Sequence, residues 1–429
     1  MNQPLVAGAK ATDGARRSEI LQIASRLFAA SGYARTSLKD VADACGILPG
    51  SLYHHFDSKQ AIATELLERY HDELEAIGQH WLTEPLGAPT ADRLTALGVA
   101  IAECAVRHAA ALQLSAYEPH TGATPDLVSL VQREPTAVTA AIHRNLDDAA
   151  ERGDLVARLD RTMFAEQLRE TMLHVGIARL HGDDPAATTA TLLCTLLLHG
   201  IAMRPPSDRV LNRSAAMGAA SAAIAQWSTP DEDLDDRRTA LRAVARAEFA
   251  RRGYETTTIR DIAAAANMGT GSVYRLVEGK EALLASIMNA FYTRLSAGYA
   301  AVASSAASAV EKLDALTWIN INARDRFSEE FEIQRAWFRS YPPETSMLSD
   351  SLRDRTRTIR DIVGAGLDAG EIRTDGGSLT VLSFCVRDLI WVPPSVVGRS
   401  TTRGVFAHAR ATVLRGALRP GLPASFEEA

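Results

Sequence analysis

The sequence predicts an all-α protein built from two tandem units. Hydrophobic residues make up 46% of its 429 residues, alanine is abundant, and β-branched runs are few. A chain of this length is too long for one ordinary core, so more than one domain is expected.

An internal repeat organises the chain. Residues 18–66 align with residues 239–287 at a constant offset of 221, without a gap and with 14 of 49 positions identical. The identities fall on turn, capping and packing residues. A weaker echo pairs residues 151–155 with 368–372, each closing a long amphipathic helix, so we expect the duplication to cover a whole unit. The polar, proline-containing stretch 227–236 indicates a linker between the copies.

In the first copy, apolar residues at helical spacing over residues 20–28 predict a helix that ends at Gly32. Ser37-Leu-Lys-Asp40 resembles a capping box, with Asp in place of the usual Glu, and predicts the start of a second helix. Gly46 makes the turn to a third short helix over residues 49–56. Two short helices joined by a glycine-containing turn, on a preceding helix, are typical of a helix-turn-helix.

The residue types of the third helix suit contact with DNA. Pro49, Gly50 and Ser51 are small and let the backbone approach the major groove. Tyr53 offers a ring and a hydroxyl to a phosphate or a thymine methyl. Lys59 adds charge at the start of the next helix, where the helix dipole already favours phosphate.

Positive charge is in excess in both predicted helix-turn-helix segments. The net charge is −6, but residues 16–60 carry six Lys/Arg against four Asp/Glu, and residues 237–281 carry nine against five. The field at a binding face is set locally, so these segments remain compatible with DNA.

The motif is dense and occurs twice. In the first copy it reads Gly32-Tyr33…Thr36…Val41-Ala42…Gly46-Ile47…Gly50-Ser51-Leu52-Tyr53-His54-His55-Phe56…Ser58-Lys59. In the second copy it reads Gly253-Tyr254…Thr257…Ile262-Ala263…Gly271-Ser272-Val273-Tyr274…Lys280. Both runs resemble the N-terminal domain of the TetR family of transcription regulators. The resemblance covers about a quarter of the chain.

The resemblance implies that the third helix of each copy lies in the major groove, and it implies a set of DNA-binding residues. In the first copy these are Thr36, Ser37, Lys39, Pro49, Gly50, Ser51, Tyr53, His54 and Lys59. In the second copy they are Thr257, Thr258, Arg260, Thr270, Gly271, Ser272, Tyr274 and Lys280. Both units are then expected to be a three-helix helix-turn-helix DNA-binding domain followed by a helical ligand-binding and dimerisation domain. The predicted bounds are 14–68 and 69–228, a linker at 229–236, then 237–289 and 290–425.

The second copy departs from the pattern in two places. Asn267 replaces the turn glycine, and Leu276 and Val277 replace a His-Phe pair. One interpretation is a decayed helix-turn-helix kept for pairing. The alternative is an active second reading head, in which case the differing third helices would read an operator with two non-identical half-sites.

The regulatory halves carry no catalytic constellation. Residues 162–178 and 187–202 are expected to be pairing helices of the first copy, and residues 380–391 and 404–418 their partners in the second. Candidate ligand-binding residues are Trp81, His108, Tyr117, Trp318, Trp337 and Tyr341. Buried packing is the competing interpretation for each. The run over residues 52–59 resembles family members that respond to acyl-CoA or other lipid-derived effectors.

Several classes are disfavoured. GxGxxG after a strand, P-loop, HExxH and GxSxG patterns are absent, so we expect neither an enzyme nor a cofactor. The four cysteines are scattered without zinc spacing, so we expect buried free thiols and no metal. No apolar run has the length of a membrane span, and no signal peptide is evident, so a cytoplasmic, nucleoid-associated protein is expected.

The sequence therefore predicts a DNA-binding transcription regulator, a ligand-responsive repressor of double-stranded operator DNA. It leaves open a one-chain pseudo-dimer against self-association of two chains. An interaction scaffold, or a homodimeric regulator whose second helix-turn-helix no longer binds DNA, is the alternative.

Overall fold

The structure is a computed structural model that describes residues 6–33, 35–115, 123–178, 185–227, 236–254, 256–340, 347–375 and 377–419. Regular structure in these ranges is helical, apart from two isolated β-bridges, Leu155 with Leu418 and Ala202 with Ile372. The predicted all-α class is confirmed.

The helices of the first copy are α1 (Val6–Ser31), α2 (Leu38–Ala44), α3 (Pro49–Tyr53), α4 (Lys59–Thr83), α5 (Thr90–Arg107), α6 (Ala109–Ser115), α7 (Pro125–Val131), α8 (Thr136–Arg152), α9 (Arg161–Ala178), α10 (Ala186–His199), α11 (Asp208–Arg213) and α12 (Ala215–Gln226). Those of the second copy are α13 (Asp236–Arg252), α14 (Ile259–Ala265), α15 (Thr270–Leu276), α16 (Lys280–Ser304), α17 (Ala309–Arg326), α18 (Ser328–Ser340), α19 (Met347–Asp368), α20 (Leu379–Ile390), α21 (Pro394–Val397) and α22 (Thr402–Ala409), which continues into a π-helical turn (Arg410–Leu414).

The chain divides into two compact units that do not coincide with the two sequence copies. The first unit comprises Met1–Asp148, Leu168–Thr191 and Arg339–Pro342, and the second comprises Ala149–Gln167, Leu192–Phe338 and Pro343–Ala429. The second unit therefore contains the C-terminal segments of both copies.

The predicted boundaries between the DNA-binding and regulatory domains fall within continuous helices. The boundaries after residues 68 and 289 fall inside α4 and α16, so each helix-turn-helix continues without a break into the helical domain behind it. The predicted linker lies outside the described residues except for Asp236, where α13 begins.

In the first unit, α4 packs against α1, α5, α6 and α7. Helices α4 and α8 approach closely at Gly78, where an added Cβ would lie 2.4 Å from the backbone of Ala137. Buried Arg93 on α5 donates to the Asn145 Oδ1 on α8 at 2.9 Å and pairs with Asp148 at 2.5 Å. A buried charge needs such a partner to be tolerated.

In the second unit, α16 lies at the centre and packs against α12, α17 and α19. Helix α12 belongs to the first copy by sequence, and its following residue Trp227 is buried with its ring 5.1 Å from that of Phe327. All four cysteines are buried, as predicted, and lie outside any disulfide bond among the described residues.

The C-terminal segments of the two copies pair reciprocally within the second unit. The amides of Ile201 and Ala202 donate to the carbonyls of Val413 and Leu414 at 2.9 and 3.2 Å. The matching bonds run the other way: Ala417 and Leu418 donate to Leu197 and Leu198 at 3.0 and 2.9 Å. Each residue of one pair of bonds has its counterpart in the other pair 216 positions away, which is the pattern of an interface with two-fold symmetry.

Further backbone hydrogen bonds between the two copies, next to these, are also reciprocal. The amide of Val156 donates to Ala417 at 3.0 Å, and that of Arg373 donates to Ile201 at 3.1 Å. Arg419 donates to Asp154 at 2.8 Å, and Met203 donates to Glu371 at 2.9 Å. The 151–155 echo in the sequence therefore marks a segment that takes part in this pairing.

Two glycines make the close approach possible. Gly200 and Gly416 end the two pairing helices at φ +80° and +89°, a region that disfavours other residues. A Cβ on Gly200 would lie 2.4 Å from the carbonyl carbon of Arg415, and a Cβ on Gly416 would lie 2.4 Å from that of His199.

Buried polar side chains close the same interface. The Gln167 Oε1 accepts from the Thr412 hydroxyl at 3.0 Å and lies 3.0 Å from the His408 Nε2. Burial lowers the pKa of His408 to about 4. Arg410 makes a buried two-pronged pair with Asp314 of its own copy at 2.8 and 2.7 Å and donates to the Asn212 Oδ1 of the first copy at 2.8 Å. These groups connect α9 and α11 of the first copy to α22 and its π-helical turn.

One stretch of the described residues, Leu379–Val397, is long and apolar enough to cross a membrane, and α5 with α6 would qualify only across a 91° bend. Half of the first stretch is buried inside the protein. A buried core helix meets the same criterion, so this is weak evidence for a span.

Gly416→Ala should lower the free energy of unfolding by roughly 2–4 kcal/mol, because the added methyl meets backbone atoms and the backbone is in the left-handed region. Urea unfolding followed by circular dichroism measures this. The matched control is Gly218→Ala on α12, where a Cβ meets open space and stability should stay within about 0.5 kcal/mol or rise slightly. Equal effects of the two substitutions on the free energy of unfolding would contradict the close backbone approach at Gly416.

Candidate DNA-binding surfaces

The first helix-turn-helix is built as the sequence predicts. Ser37 caps α2 through a full capping box with Asp40, whose carboxylate accepts from the Ser37 amide at 2.7 Å. Gly46 makes the turn at φ +65°. Leu52 and Phe56 bury the inner side of the third helix, so its other side is left for solvent.

The second helix-turn-helix repeats this construction. Thr258 and Asp261 form the equivalent capping box on α14. Asn267 takes the turn at φ +53°, so the substitution for glycine preserves the geometry. Val273 is fully buried in the position of Leu52. The local fold of the second copy is intact.

Each copy presents a tyrosine from an exposed third helix. Tyr53 is 53% exposed and Tyr274 is 59% exposed, although large hydrophobic side chains are otherwise mostly buried. Leu48, at the N-cap of α3, is 76% exposed and was missed by sequence reasoning. Its only signal was an apolar residue directly before the helix.

The glycines of the third helices face open space. A Cβ added at Gly50 or Gly271 would meet no atom within 4 Å. Glycine costs a helix roughly 0.5–1 kcal/mol relative to alanine, and packing within the protein does not require it here. Gly50 and Gly271 therefore leave room for another molecule to approach the backbone of the third helix.

Most predicted DNA-contact residues are exposed around these helices. In the first copy the exposed members are Ser37, Lys39, Pro49, Gly50, Ser51, Tyr53 and His54. In the second copy they are Thr258, Arg260, Thr270, Gly271 and Tyr274, with Ser272 half-buried and its hydroxyl bonded to Arg275 at 2.8 Å.

Two threonines occupy a different place from the one predicted. Thr36 is 3% exposed and Thr257 is fully buried, and their hydroxyls donate to the carbonyls of Gly32 and Gly253 at 2.9 and 2.8 Å. They tie the turn after the first helix, because a hydroxyl so placed satisfies a carbonyl left open at the helix end. A phosphate contact through these hydroxyls does not fit.

Lys59 and Lys280 also serve the fold. The Lys59 ammonium donates to the carbonyls of Tyr33 and Thr36, both at 2.9 Å, and lies 4.3 Å from the centre of the Tyr33 ring. Lys280 repeats this with Tyr254, at 2.9 Å to the carbonyl and 4.2 Å to the ring centre. Burial lowers the pKa of Lys59. Both ammonium groups are committed to holding the turn.

The predicted ligand-binding residues do not come together in one cluster within the part of the chain that the structure describes. Trp81 is half-buried with its ring 5.7 Å from that of His80, and the Trp318 ring packs 4.9 Å from Phe406. Tyr117 and Tyr341 lie outside the described residues, and so does the side chain of Trp337.

His108 belongs to a group of metal-binding residue types in the first unit. Ligand atoms of Glu73, Cys104 and His108 all lie within 4.8 Å of one another. The Glu73 carboxylate already pairs with His108 at 2.7 Å and with Arg107. Burial raises the pKa of the Cys104 thiol to about 12. Sequence reasoning missed this group because its third member is on another helix.

Comparison with known proteins agrees with the helix-turn-helix geometry. The family model "Bacterial regulatory proteins, tetR family" matches residues 20–66 and 241–287. The transcriptional repressor KstR2 of Rhodococcus jostii (strain RHA1) is 54% identical over 59 residues, which are 14% of this chain and 29% of that protein. KstR2 of Mycolicibacterium smegmatis is 43% identical over 96 residues, 22% of this chain and 44% of that protein. The chain thus spans less than half the length of these relatives.

Among solved structures, that of the ketosteroid transcriptional regulator KstR2 of Mycobacterium tuberculosis aligns at 27% identity with a TM-score of 0.39. The alignment covers 43% of this chain and 96% of that one. Both curated relatives are named transcriptional repressors.

The capping boxes should make the second helix-turn-helix acid-sensitive. Hydrogen bonds from Thr258, and then Arg252, lower the pKa of Asp261 to about 2 from an ordinary 3.8. The unfolded chain therefore binds more protons, and the stabilisation is present above pH 4 and is lost as the pH falls towards 2. Asp261→Asn should flatten this part of the acid-unfolding curve measured by circular dichroism.

The control for Asp261→Asn is Glu278→Gln, since Glu278 is an exposed acid in the same copy. Its removal should leave the slope between pH 4 and 2 unchanged. An unchanged slope in Asp261→Asn would count against the capping interpretation.

Proposed function

This chain is a TetR-family protein with the family's DNA-binding domain in tandem, and from that premise we propose that it is a ligand-responsive repressor acting as a one-chain pseudo-dimer. The two reading heads would bind the non-identical half-sites of one double-stranded DNA operator. The reciprocal hydrogen bonding between the C-terminal segments of the two copies carries the proposal.

The pairing supports a self-contained chain. Two-fold regulators of the helix-turn-helix type bind two half-sites through a symmetric interface between subunits. Here an interface of that pattern forms between two parts of one chain. The exchanged backbone bonds, the hydrogen bond from Thr412 to the Gln167 Oε1 and the hydrogen bonds of Arg410 all form without a second molecule.

The state of both third helices supports two active heads. Tyr274 is exposed as fully as Tyr53, and the cap, turn and lysine clamp recur in the second copy. The helices differ in what they offer to a base: Leu48 and His54 in the first copy correspond to Gly269 and Arg275 in the second. An arginine favours guanine, whereas an apolar side chain favours a thymine methyl.

Repression and effector response are part of the same proposal. The curated relatives are named repressors. An effector bound in a helical regulatory half would lower DNA affinity by favouring the state that does not bind DNA. Such a protein would work in the cytoplasm, on nucleoid DNA.

Substitution of the tyrosines tests the two-headed arrangement. Tyr53→Ala and Tyr274→Ala should each weaken binding to DNA fragments from upstream of the protein's own gene by roughly tenfold or more, because each removes one exposed contact. Titration at several salt concentrations, with light scattering, should give a salt-sensitive complex of one 46.2 kDa chain per site.

The matched control is Val210→Ala, which shortens an exposed apolar side chain outside both helix-turn-helix segments and should leave affinity unchanged. If Tyr274→Ala changes nothing and two chains bind each site, the second copy is an inactive partner and the protein is a homodimeric regulator. Binding that is insensitive to both substitutions and to salt would favour the interaction scaffold.

Gly50→Ala separates DNA contact from folding. The free energy of unfolding should stay constant or rise by up to about 1 kcal/mol, because the methyl projects into open space from a helix. Affinity for the same DNA should fall by roughly tenfold, because the methyl would stand between the backbone and the groove. Gly218→Ala provides the control with unchanged affinity. Unchanged affinity in Gly50→Ala would contradict close approach at this position.

A further inference from the structure

A buried cation in the second regulatory half has no acidic partner within the described part of the chain. Arg355, on α19, is 5% exposed. Among the residues that the structure describes, its contacts are the Ser351 hydroxyl at 3.2 Å and the Tyr292 ring, whose centre is 5.5 Å from the guanidinium carbon. An arginine offers five donors and remains charged inside proteins.

Burying the Arg355 charge without a carboxylate partner lowers the stability of the folded chain. Buried charges in proteins are normally paired, as Arg93 is with Asp148 and Arg410 is with Asp314. Burial lowers the pKa of Arg355, and the groups that oppose this shift are the hydroxyls of Tyr299 and Tyr292, not a carboxylate. The contrast with the other buried arginines indicates that the partner of Arg355 comes from outside the chain.

The surroundings of Arg355 combine hydroxyls with aromatic rings. The Ser351 hydroxyl is hydrogen-bonded to the Ser296 hydroxyl on α16 at 2.9 Å, so two neutral donors lie beside the charge. Rings of α16 and α18 lie next to them: the Phe291 ring is 4.9 Å from that of Tyr292 and 5.1 Å from that of Phe331. A charged donor beside aromatic rings in tilted and edge-to-face contact suits a molecule with an anionic end and an apolar body.

The first copy lacks this arrangement. At the offset of 217 residues set by the echo in the sequence, Val138 corresponds to Arg355 and is fully buried. At the offset of 221, Gly78 corresponds to Tyr299, and its helix touches α8 so closely that a Cβ would lie 2.4 Å from the Val138 nitrogen. The two regulatory halves therefore have different interiors, and the anion site is specific to the second.

We propose that the second regulatory half binds a small organic carboxylate, with Arg355 as its counter-ion and the Phe291–Tyr292–Phe331 rings against its apolar body. One guanidinium balances one negative charge, and its planar fork matches a carboxylate. A phosphate dianion would leave charge uncompensated. The inference deepens the proposed function by naming the effector class.

Thermal unfolding of the full chain, without DNA, tests the site with 3-phenylpropionate and octanoate as probes. Either carboxylate at millimolar concentration should raise the Tm by roughly 3 °C or more. The neutral 3-phenylpropionamide and inorganic phosphate should not. Arg355→Met should reduce the affinity for the carboxylate at least tenfold, whereas Arg357→Met, on an exposed arginine of the same helix, should not change it.

The free protein provides a second readout. Arg355→Met without ligand should have an equal or higher Tm, because the substitution removes an uncompensated buried charge. A lower Tm would show that the guanidinium is structural and would overturn the proposal. So would the absence of any carboxylate effect, or an equal effect of phosphate alone. If a carboxylate binds while the DNA fragments do not, the proposed repressor function fails and this site stands.

Discussion

The exchange of backbone hydrogen bonds around Gly200 and Gly416 is the constraint on which the second unit depends. Backbone amides and carbonyls must be paired when they are buried, and here each copy satisfies the groups of the other. The exchange needs two chain segments to approach within a distance that no side chain allows, and it needs both to turn through positive φ. Because every bond has a counterpart 216 or 217 residues away, duplication of the gene segment has produced a symmetric interface inside one polypeptide.

The two helix-turn-helix segments keep the same internal contacts and differ at exposed positions. The threonine hydroxyl on the glycine carbonyl, the lysine over the tyrosine ring and the serine or threonine capping box recur in both copies. These groups hold the third helix in place. The exposed residues Leu48 and His54 have no equivalent in the second copy, where Gly269 and Arg275 stand. These two differences thus lie at exposed positions at the ends of the third helix, where base contacts are proposed.

The regulatory interiors show the same freedom after duplication. In the first copy Gly78 brings two helices into backbone contact, and in the second copy Tyr299 and Arg355 occupy the equivalent level. Two paired segments that belong to one chain need not keep identical cores. Under the proposed function, one half is packed for stability while the other keeps a polar interior for a ligand.

The sequence by itself determined the helical class, the duplication, the caps and turns, and the matched tyrosines of the third helices. Each rests on a local residue pattern: Asp40 three residues after Ser37, Asn267 where a positive φ is required, Tyr53 and Tyr274 at one offset. Only the tertiary structure decided which of the polar residues are available. Thr36 and Lys59 have the residue types of phosphate contacts, but Thr36 is buried against the carbonyl of Gly32 and the Lys59 ammonium donates to the carbonyl of Tyr33, 26 residues away. The close approach of Gly200 and Gly416, and the lack of an acidic partner for Arg355 among the described residues, could not be predicted either, since burial and partners far apart in the chain are set by packing and not by spacing.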